Sequence, residues 1–294
     1  MAVAYDYKDS NIRKTWVLIT GFLVLFIGFG WLLSKAYDMP GILYAMSAFS
    51  IIASIVSYWF SDKIVIVSTG AKEIDRKSNP ELYRIVENLA ITAGLPMPRV
   101  YVVPEAAPNA FATGRDPEHA VVAVTVGLLR ILDKSELEGV IAHELSHIGN
   151  RDMLIGTVIV VLVGMLSTVA DFFLRSRIFG GSDDDDNKGA WALLSIVAAI
   201  IAPIAATLIQ LSISRKREFL ADASGSLLTR YPEGLASALL KISNDRTPMV
   251  NKSSAMAHLW LASPFKGKGA GIERLFMTHP PIEERVKALR QMSL

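Results

Sequence analysis

The chain has 294 residues, a formal net charge of +2, no cysteine and five histidines. Its hydrophobic content is 51% and its mean hydropathy is +0.37, both high for a soluble globular protein. A nearly neutral chain has no large basic field to hold nucleic acid, so we expect no nucleic-acid partner. Without cysteine, disulfides and thiolate metal ligands are also excluded. A transition-metal site would therefore have to use histidine, aspartate or glutamate.

Four stretches without a charged residue are long enough to cross a bilayer, which takes about 20 residues in a helix. They cover residues 15–34, 41–61, 153–170 and 189–214. The third is the shortest, and the fourth contains Pro203, which membrane helices tolerate. We therefore expect four transmembrane helices. The alternative for the last two stretches is a buried hairpin inside a soluble domain.

Basic residues beside these stretches indicate the orientation in the membrane. Lys8, Arg13 and Lys14 precede the first stretch, and no small-residue cleavage site follows it, so we expect a retained anchor. Because cations stay on the cytoplasmic side, the N-terminus is predicted to be cytoplasmic. The polar segment 62–152 and the basic cluster 215–217 fall on the same side. The sequence thus predicts a multi-pass protein of the cell (plasma or inner) membrane.

The polar parts of the sequence predict an α+β fold, mostly helical with a small sheet. Amphipathic periodicity and turn residues predict helices at 81–93, 135–148, 215–228 and 281–294. β-branched runs predict strands at 99–103 and 120–126, with a short edge segment at 109–114 between them. Two units are expected: a transmembrane hairpin with its N-terminal segment over 1–61, and a domain over 62–294 that a second hairpin interrupts at 153–214.

A pair of histidines marks the predicted helix 135–148. His143 and His147 are four residues apart and lie on one helical face, where both imidazoles can bind the same metal ion. Glu144, beside the first histidine, is placed to act as the general base of a zinc-dependent hydrolase. The alternative is two surface histidines beside a solvated glutamate. The pattern favours a metal site, because a chain with so few histidines rarely contains it by chance.

Local signals predict the ends and the buried face of this helix. Ser135 and Glu138 form the pattern of a capping box at its start, and Gly149 occupies the position of a C-terminal cap. Apolar residues recur at helical spacing and predict a buried stripe of Leu137, Ile141, Leu145 and Ile148. The two histidines and the glutamate between them lie on the neighbouring stripe, at the border of the core.

A catalytic zinc ion takes three protein ligands and keeps a fourth position for water, so a third ligand is needed. Asn150 and Met153 stand where a third histidine would follow in the extended motif, so the ligand must come from elsewhere. Glu218 is the candidate, because it begins a helix after the fourth stretch and on the same side of the membrane. Asp222, one turn further on, is expected to support a ligand imidazole. The alternative for Glu218 is an exposed acid beside basic residues.

These residues resemble the paired motifs of HtpX-type membrane proteases, which are gluzincin relatives of the CAAX prenyl endopeptidases. The matching segments are 143–147, 218–222, 109–114 and 278–285, and their order and spacing agree over nearly the whole chain. The resemblance implies a zincin-like fold, one zinc ion held by His143, His147 and Glu218, and Glu144 as the catalytic acid/base. It further implies a zinc endopeptidase that cuts misfolded or damaged membrane proteins at the cytoplasmic face, as part of protein quality control under stress.

Two further predictions concern the reaction with a substrate. Asn109 and Ala110 resemble the edge strand on which zinc peptidases bind an extended substrate, with an ordinary polar turn as the alternative. His279 precedes a helix started by proline and is a candidate donor to the oxyanion that forms during hydrolysis. The alternative for His279 is a histidine at a helix entry.

Alternatives to this function differ in substrate or in class. A protease for prenylated C-termini would use the same motif, although relatives of that kind generally have more membrane spans. A non-proteolytic metal-binding scaffold would be expected to have ionisable residues within the spans, and the four stretches contain none. The ligands also suit cobalt or manganese. Protein substrates and the lipid bilayer are the expected partners, and the oligomeric state stays open.

Overall fold

The structure, a computed structural model, describes residues 2–36, 38–179, 215–250, 256, 259–262 and 280–292. Three long apolar helices lie in this part of the chain: α1 (Ala2–Ala36), α2 (Pro40–Trp59) and α7 (Asp152–Phe179). Asp9–Lys35 of α1 and the whole of α2 are each long and apolar enough to cross a membrane. The fourth predicted stretch, 189–214, lies outside the described residues.

Helix α7 is bent by 83° from the helix before it, and the two together count as a third candidate span. The helix continues to Phe179, well beyond residue 170, where the third predicted stretch ends. Its apolar residues pack against α1 and α2 in one buried cluster, which includes Phe22, Phe26, Ala53, Val158 and Leu162. The described chain therefore contains two or three candidate spans where the sequence predicts four in the whole chain.

A four-stranded sheet with the order β1-β2-β4-β3 forms the centre of the polar part. Its strands are β1 (Lys72–Glu73), β2 (Arg99–Val103), β3 (Ala110–Thr113) and β4 (Val121–Thr125). β2 and β4 are parallel, whereas β3 pairs antiparallel with β4 and forms an edge of the sheet. The predicted strands and edge segment are confirmed. β4 ends before Val126 because the Thr125 hydroxyl accepts a hydrogen bond from the backbone N–H of Leu128 and caps the next helix.

Shorter helices complete the polar part: α3 (Ser61–Thr69), α4 (Pro80–Ala93), α5 (Val126–Ile131), α6 (Lys134–Gly149), α8 (Arg215–Thr229), α9 (Pro232–Asn244) and α10 (Ile282–Arg290). The predicted helices 81–93, 135–148 and 215–228 correspond to α4, α6 and α8 and are confirmed. Helix α4 stops at Gly94, whose φ of 65° is a left-handed conformation that suits glycine. Helix α10 ends at Arg290, earlier than the predicted 281–294.

The two faces of the sheet pack against different partners, because alternate residues of a strand point to opposite faces. One face, with Val100 and Val122, packs against α4, α6 and α9. The other face, with Phe111 and Ala123, packs against α3, Trp260 and the long apolar helix α7. The sheet therefore separates the helix with the histidine motif from part of α7, and the two helices meet again at the break between them.

Candidate metal centre

Helix α6 begins at a capping box that differs in position from the predicted one. The Asp133 carboxylate accepts a hydrogen bond from the Glu136 N–H (3.0 Å), and the Glu136 carboxylate accepts one from the Asp133 N–H (2.9 Å). The prediction of Ser135 and Glu138 is wrong, because Ser135 already lies inside the helix and its hydroxyl donates to Asp133. Glu136 also binds Lys241 of α9 at 2.6 Å, and this contact favours the observed start.

The other end of α6 is a sharp break in the chain. Gly149 is the last helical residue, Asn150 has right-handed backbone angles, and Arg151 has a left-handed φ of 56°. The prediction that Gly149 caps the helix is therefore wrong. Asp152 then begins α7 in a new direction. The predicted buried stripe of α6 is confirmed, since its four members are all buried: Leu137, Ile141, Leu145 and Ile148.

Helix α8 packs very closely against α6 and brings two acidic side chains to the histidines. At the contact lies Gly225, where a Cβ atom would be only 2.9 Å from the backbone nitrogen of His143. A residue without a side chain is needed for this approach. Glu218 and Asp222 lie further toward the start of α8, where they face the motif of α6. Packing between two helices, and not local sequence, therefore brings the third candidate ligand to the site.

His143, His147 and Glu218 converge, with one ligand atom from each within 4.8 Å of the others. The two Nε2 atoms of the histidines are 3.1 Å apart. The carboxylate oxygens of Glu218 lie 3.8 Å from His143 Nε2 and 3.7 Å from His147 Nε2. The structure thus brings together the three residues that the sequence predicts as ligands.

The chemistry and spacing of these three residues fit a zinc ion. Two imidazoles and one carboxylate are a ligand set that catalytic zinc uses, and ligands about 2.0–2.2 Å from a tetrahedral ion are about 3.3–3.5 Å apart. The separations between the ligand atoms are close to that range. Both histidines direct Nδ1 at a carboxylate, so that both Nε2 atoms face the same position. This is the arrangement in which metal-binding imidazoles are usually held.

A buried ion pair supports the imidazole of His143. Asp222, the residue expected to support a ligand imidazole, has its Oδ1 atom 2.9 Å from His143 Nδ1. Arg285 of α10 donates to the same carboxylate from Nε (2.8 Å) and from Nη2 (2.6 Å). Its Nη1 atom lies 3.6 Å from Glu218 Oε2. One guanidinium, itself 0% exposed, therefore orients the support of His143 and lies next to the third candidate ligand.

A different carboxylate supports the imidazole of His147. Asp152 Oδ2 lies 3.2 Å from His147 Nδ1. Sequence reasoning misses this residue, because a position five residues further along an unbroken helix points away from His147. It also gives no role to Arg285, although that residue lies inside the matching segment 278–285. Tertiary structure, which the sequence pattern does not show, brings both Asp152 and Arg285 to the histidines.

The two imidazoles have opposite pKa shifts. Burial lowers the pKa of His143 to about 4, against the smaller effect of Asp222. Burial also lowers the pKa of His147, but the hydrogen bond with Asp152 and the surrounding carboxylates outweigh it and raise the pKa to about 9. Burial raises the pKa of Asp222, but Arg285 and His143 outweigh it and lower the pKa to about 2. At neutral pH, a metal ion would meet a neutral His143 and would displace a proton from His147.

Glu144 lies beside the three candidate ligands in a small cavity. It is buried, and it lines a cavity of about 60 Å³ together with both histidines and Glu218. Other walls come from Ala112 of β3, Met153 and Gly156 of α7, and Leu259 and Leu261. The site therefore lies between the edge strand of the sheet and the first turns of the apolar helix α7.

The edge strand β3 passes along this cavity. Leu261 and Ala262 form hydrogen bonds with the start of this edge. The side-chain amide of Asn109 accepts a hydrogen bond from the Ala262 N–H (3.0 Å) and donates one to the Ala262 carbonyl (2.8 Å). The carbonyl of Ala110 accepts a hydrogen bond from the Leu261 N–H (2.9 Å). Because alternate residues of a strand point to the same side, the backbone groups of Ala112 also face outward, next to the cavity.

Most of the residues predicted for the site lie within it or next to it. The structure brings together five of them: His143, Glu144, His147, Glu218 and Asp222. Asn109 and Ala110 lie at the adjoining sheet edge. His279 lies outside the described residues.

Together, the fold and the site define a membrane-bound metalloprotease of the zincin-like type. Residues 76–293 match Peptidase family M48. The chain is 44% identical to a "Protease HtpX homolog" of Tropheryma whipplei (strain Twist), over 98% of each chain. Proteins with the same description from Pyrococcus furiosus and Thermococcus kodakarensis are 48% and 47% identical, over 96% and 95% of each chain. The chain belongs to peptidase family M48.

A solved structure supports the fold. The chain resembles the structure described as "Crystal Structure of S. mikatae Ste24p", with a TM-score of 0.51 and 19% sequence identity. The likeness covers 94% of this chain and 67% of the other. At this level of identity it concerns the fold alone. The family and its HtpX relatives make the chain a metalloprotease, which sets aside the alternative of a non-proteolytic scaffold.

Proposed function

We propose that this metalloprotease is a zinc endopeptidase that cuts misfolded or damaged membrane proteins at the cytoplasmic face of the cell membrane. The observation that carries the proposal is the convergence of His143, His147 and Glu218 on a cavity that Glu144 also lines. The cavity lies at the break between α6 and the membrane helix α7. A substrate would therefore reach the site at the surface of the bilayer.

One zinc ion per chain would be held by His143, His147 and Glu218, where it would polarise the scissile carbonyl and lower the pKa of a bound water. The two histidines direct Nδ1 at Asp222 and Asp152, so both Nε2 atoms face the position of the metal. The protein thus fixes the orientation of both imidazoles before a metal binds.

Glu144 is the proposed catalytic acid/base. Its carboxylate shares the cavity with the ligands but is not one of the three, so it can take a proton from the attacking water. It then passes that proton to the leaving amine. His279 is the proposed donor to the oxyanion, a role that asks for a hydrogen bond aimed at the developing charge.

The edge of β3 is the proposed binding site for an extended substrate, which would add a strand to the sheet. Asn109 and Ala110 are the predicted contacts. Both are already hydrogen-bonded within the chain, Asn109 to the backbone of Ala262 and Ala110 to that of Leu261. We therefore place the first pairing with substrate at Ala112, which lines the cavity. Asn109 and Ala110 would pair with the substrate only after Leu261 and Ala262 have moved away from them.

The position of α1 supports an active site on the same side of the membrane as the N-terminus. Asn11, near the start of α1, donates a hydrogen bond to the carbonyl of Asn150 (3.3 Å), at the break beside the cavity. Arg13 and Lys14 lie at the same end of α1. Because cationic flanks stay in the cytoplasm, the proposed side is the cytoplasmic one.

Cleavage by the full-length protein in lipid vesicles tests this function. The substrate is a labelled membrane protein, offered in a native and a heat-damaged form. Glu144→Gln is expected to retain zinc and to lower the cleavage rate by about 10²–10⁴-fold, because it removes the acid/base. Glu138→Gln is the matched control, since Glu138 lies on the same helix and pairs only loosely with Lys134 at 3.9 Å.

Two results would contradict the proposal. Equal cleavage by the wild type and Glu144→Gln would rule out the mechanism. Faster cleavage of a prenylated C-terminal peptide than of the damaged membrane protein would favour the alternative substrate class.

A further inference from the structure

Asn11, in the first membrane helix, is a buried polar residue that reaches the metal centre. It is 2% exposed. Its side-chain nitrogen donates to Asp152 Oδ1 at 2.6 Å and to the Asn150 carbonyl at 3.3 Å. Its side-chain oxygen accepts a hydrogen bond from Arg217 Nη1 at 3.4 Å. The donors and the acceptor of this amide are therefore all used, although the residue lies far from the site in sequence.

The break between α6 and α7 makes this contact possible. In a continuous helix a residue five positions after His147 would lie about 140° around the helix from it. Arg151 adopts a left-handed conformation with a φ of 56°, and α7 leaves at 83° to α6. Asp152 therefore turns back so that one carboxylate oxygen faces His147 and the other faces Asn11.

The contact determines which way the Asp152 carboxylate points. For His147 to bind a metal through Nε2, its Nδ1 must keep a proton, and a carboxylate at Nδ1 holds that tautomer and the ring orientation. Arg217 is a competing partner, since its Nε lies 3.7 Å from Asp152 Oδ1. Without the short hydrogen bond from Asn11, the carboxylate is expected to turn toward this cation and away from His147.

A neutral amide suits this position because it fixes the carboxylate and leaves its charge in place. Arg217 binds the amide oxygen, so the nitrogen end must face Asp152. The charge on Asp152 then remains available to the imidazole of His147. A cation in place of Asn11 would compete with the imidazole for the same carboxylate.

We propose that Asn11 is a positioning residue of the metal centre, acting on His147 through Asp152, so that the first membrane helix completes the site. The proposal rests on the metal site of the proposed function. Helix α1 is then more than an anchor, since its polar end fixes one of the ligands. Asn11 touches neither a metal ligand nor the substrate cavity in the described contacts, and its effect is indirect.

Zinc binding to the full-length, metal-free protein in detergent tests the proposal, with a chelating dye as the competitor. Asn11→Ala and Asp152→Asn are each expected to weaken zinc binding by about 10–100-fold, as for other residues that support a ligand. Because Asn11 acts through Asp152, the double variant should bind zinc no more weakly than Asp152→Asn alone. If Asn11→Ala gives no monodisperse protein, the isosteric Asn11→Asp replaces it, with the same expected loss.

Thr15→Val is the matched control, because Thr15 is also buried and its hydroxyl donates to the Asn11 carbonyl within α1 (3.0 Å). It should bind zinc as the wild type does, and its melting temperature without metal should also be close to that of the wild type. Wild-type affinity in the Asn11 variant would overturn the proposal, as would equal losses in the Asn11 and Thr15 variants. A wild-type protein that binds no zinc would instead overturn the metal site itself.

Discussion

The two histidines of the metal centre are supported in different ways. The side chain of His143 is 1% exposed and contacts Asp222, which the guanidinium of Arg285 binds twice. The side chain of His147 is 16% exposed and contacts Asp152, whose short hydrogen bond comes from a neutral amide of α1. The first support lies within the peptidase helices α8 and α10. The second lies where the peptidase meets the membrane helices.

An ion pair and a neutral contact respond differently when one partner is lost. Removal of the cation beside Asp222 leaves a buried charge without compensation, which is strongly destabilising. Removal of the amide beside Asp152 leaves Arg217 still close to the carboxylate, at 3.7 Å. We therefore expect the first support to determine the stability of the peptidase helices, and the second to determine how well His147 binds a metal.

The largest effect is expected from the ion pair. Arg285→Leu should lower the free energy of unfolding of the metal-free protein by about 3–5 kcal/mol, because it leaves Asp222 buried and unpaired. Arg290→Leu is the control, because Arg290 lies on the same helix and binds Glu233 at 2.7 Å on the surface. It should leave the unfolding midpoint nearly unchanged. A similar loss of stability in both variants would show that the buried Arg285–Asp222 pair contributes no more than the exposed Arg290–Glu233 pair.

A smaller effect is expected where α8 touches α6. Gly225→Ala should cost about 1–3 kcal/mol, because the added Cβ would overlap the backbone of α6. Gly28→Ala is the control, since a Cβ at this position of α1 has no atom within 4 Å. Unfolding of the two variants by denaturant checks the difference. Equal stability of both would mean that α8 and α6 are not held at this close distance.

The two carboxylates allow a direct comparison of the supports. Asp222→Asn and Asp152→Asn should each weaken zinc binding by about 10–100-fold, because each removes a charged partner of a ligand imidazole. Asp222→Asn should lower the melting temperature of the metal-free protein more, because it removes two short contacts with Arg285 (2.8 and 2.6 Å), whereas Asp152 lies 3.7 Å from the nearest cation, Arg217. Calorimetry and zinc titration of the same preparations separate the two effects. Equal destabilisation by both variants would remove the proposed difference.

The smallest effect is expected at the start of α6, the helix that both supports share. Asp133→Ala should cost about 1 kcal/mol, because Asp133 is the N-cap. Ser135→Ala should be close to neutral, since Ser135 lies inside the helix. Thermal unfolding checks the order of the two variants. The reverse order would favour the capping box that the sequence suggests, with Ser135 and Glu138.

The metal ligands could be predicted from the sequence because each is marked by a sequence signal. His143 and His147 show their common face through spacing alone, and Glu218 follows a charge-free stretch that returns the chain to the same side of the membrane. Asp222 lies one helical turn beyond Glu218, so its position follows as well. Helix geometry alone predicts the two histidines, whereas Glu218 also depends on the predicted membrane layout and on the resemblance to HtpX-type proteases.

The remaining contacts depend on tertiary structure. Asp152 reaches His147 only because Arg151 turns the chain, and Asn11 reaches Asp152 only because α1 packs against the break. The predicted capping box lies two residues too late, because Asp133 with Glu136 and Ser135 with Glu138 both fit the pattern. The observed register is the one in which Glu136 also contacts Lys241 of another helix. Sequence patterns do not contain that information.

The most direct test of the central claim is the zinc content of three purified proteins: the wild type, Glu144→Gln and Glu218→Ala. If His143, His147 and Glu218 bind the metal and Glu144 does not, the wild type and Glu144→Gln will each hold one zinc ion per chain. Glu218→Ala, folded by circular dichroism, will hold little or none. Full zinc content in Glu218→Ala, or loss of zinc in Glu144→Gln, would contradict the assignment of these residues.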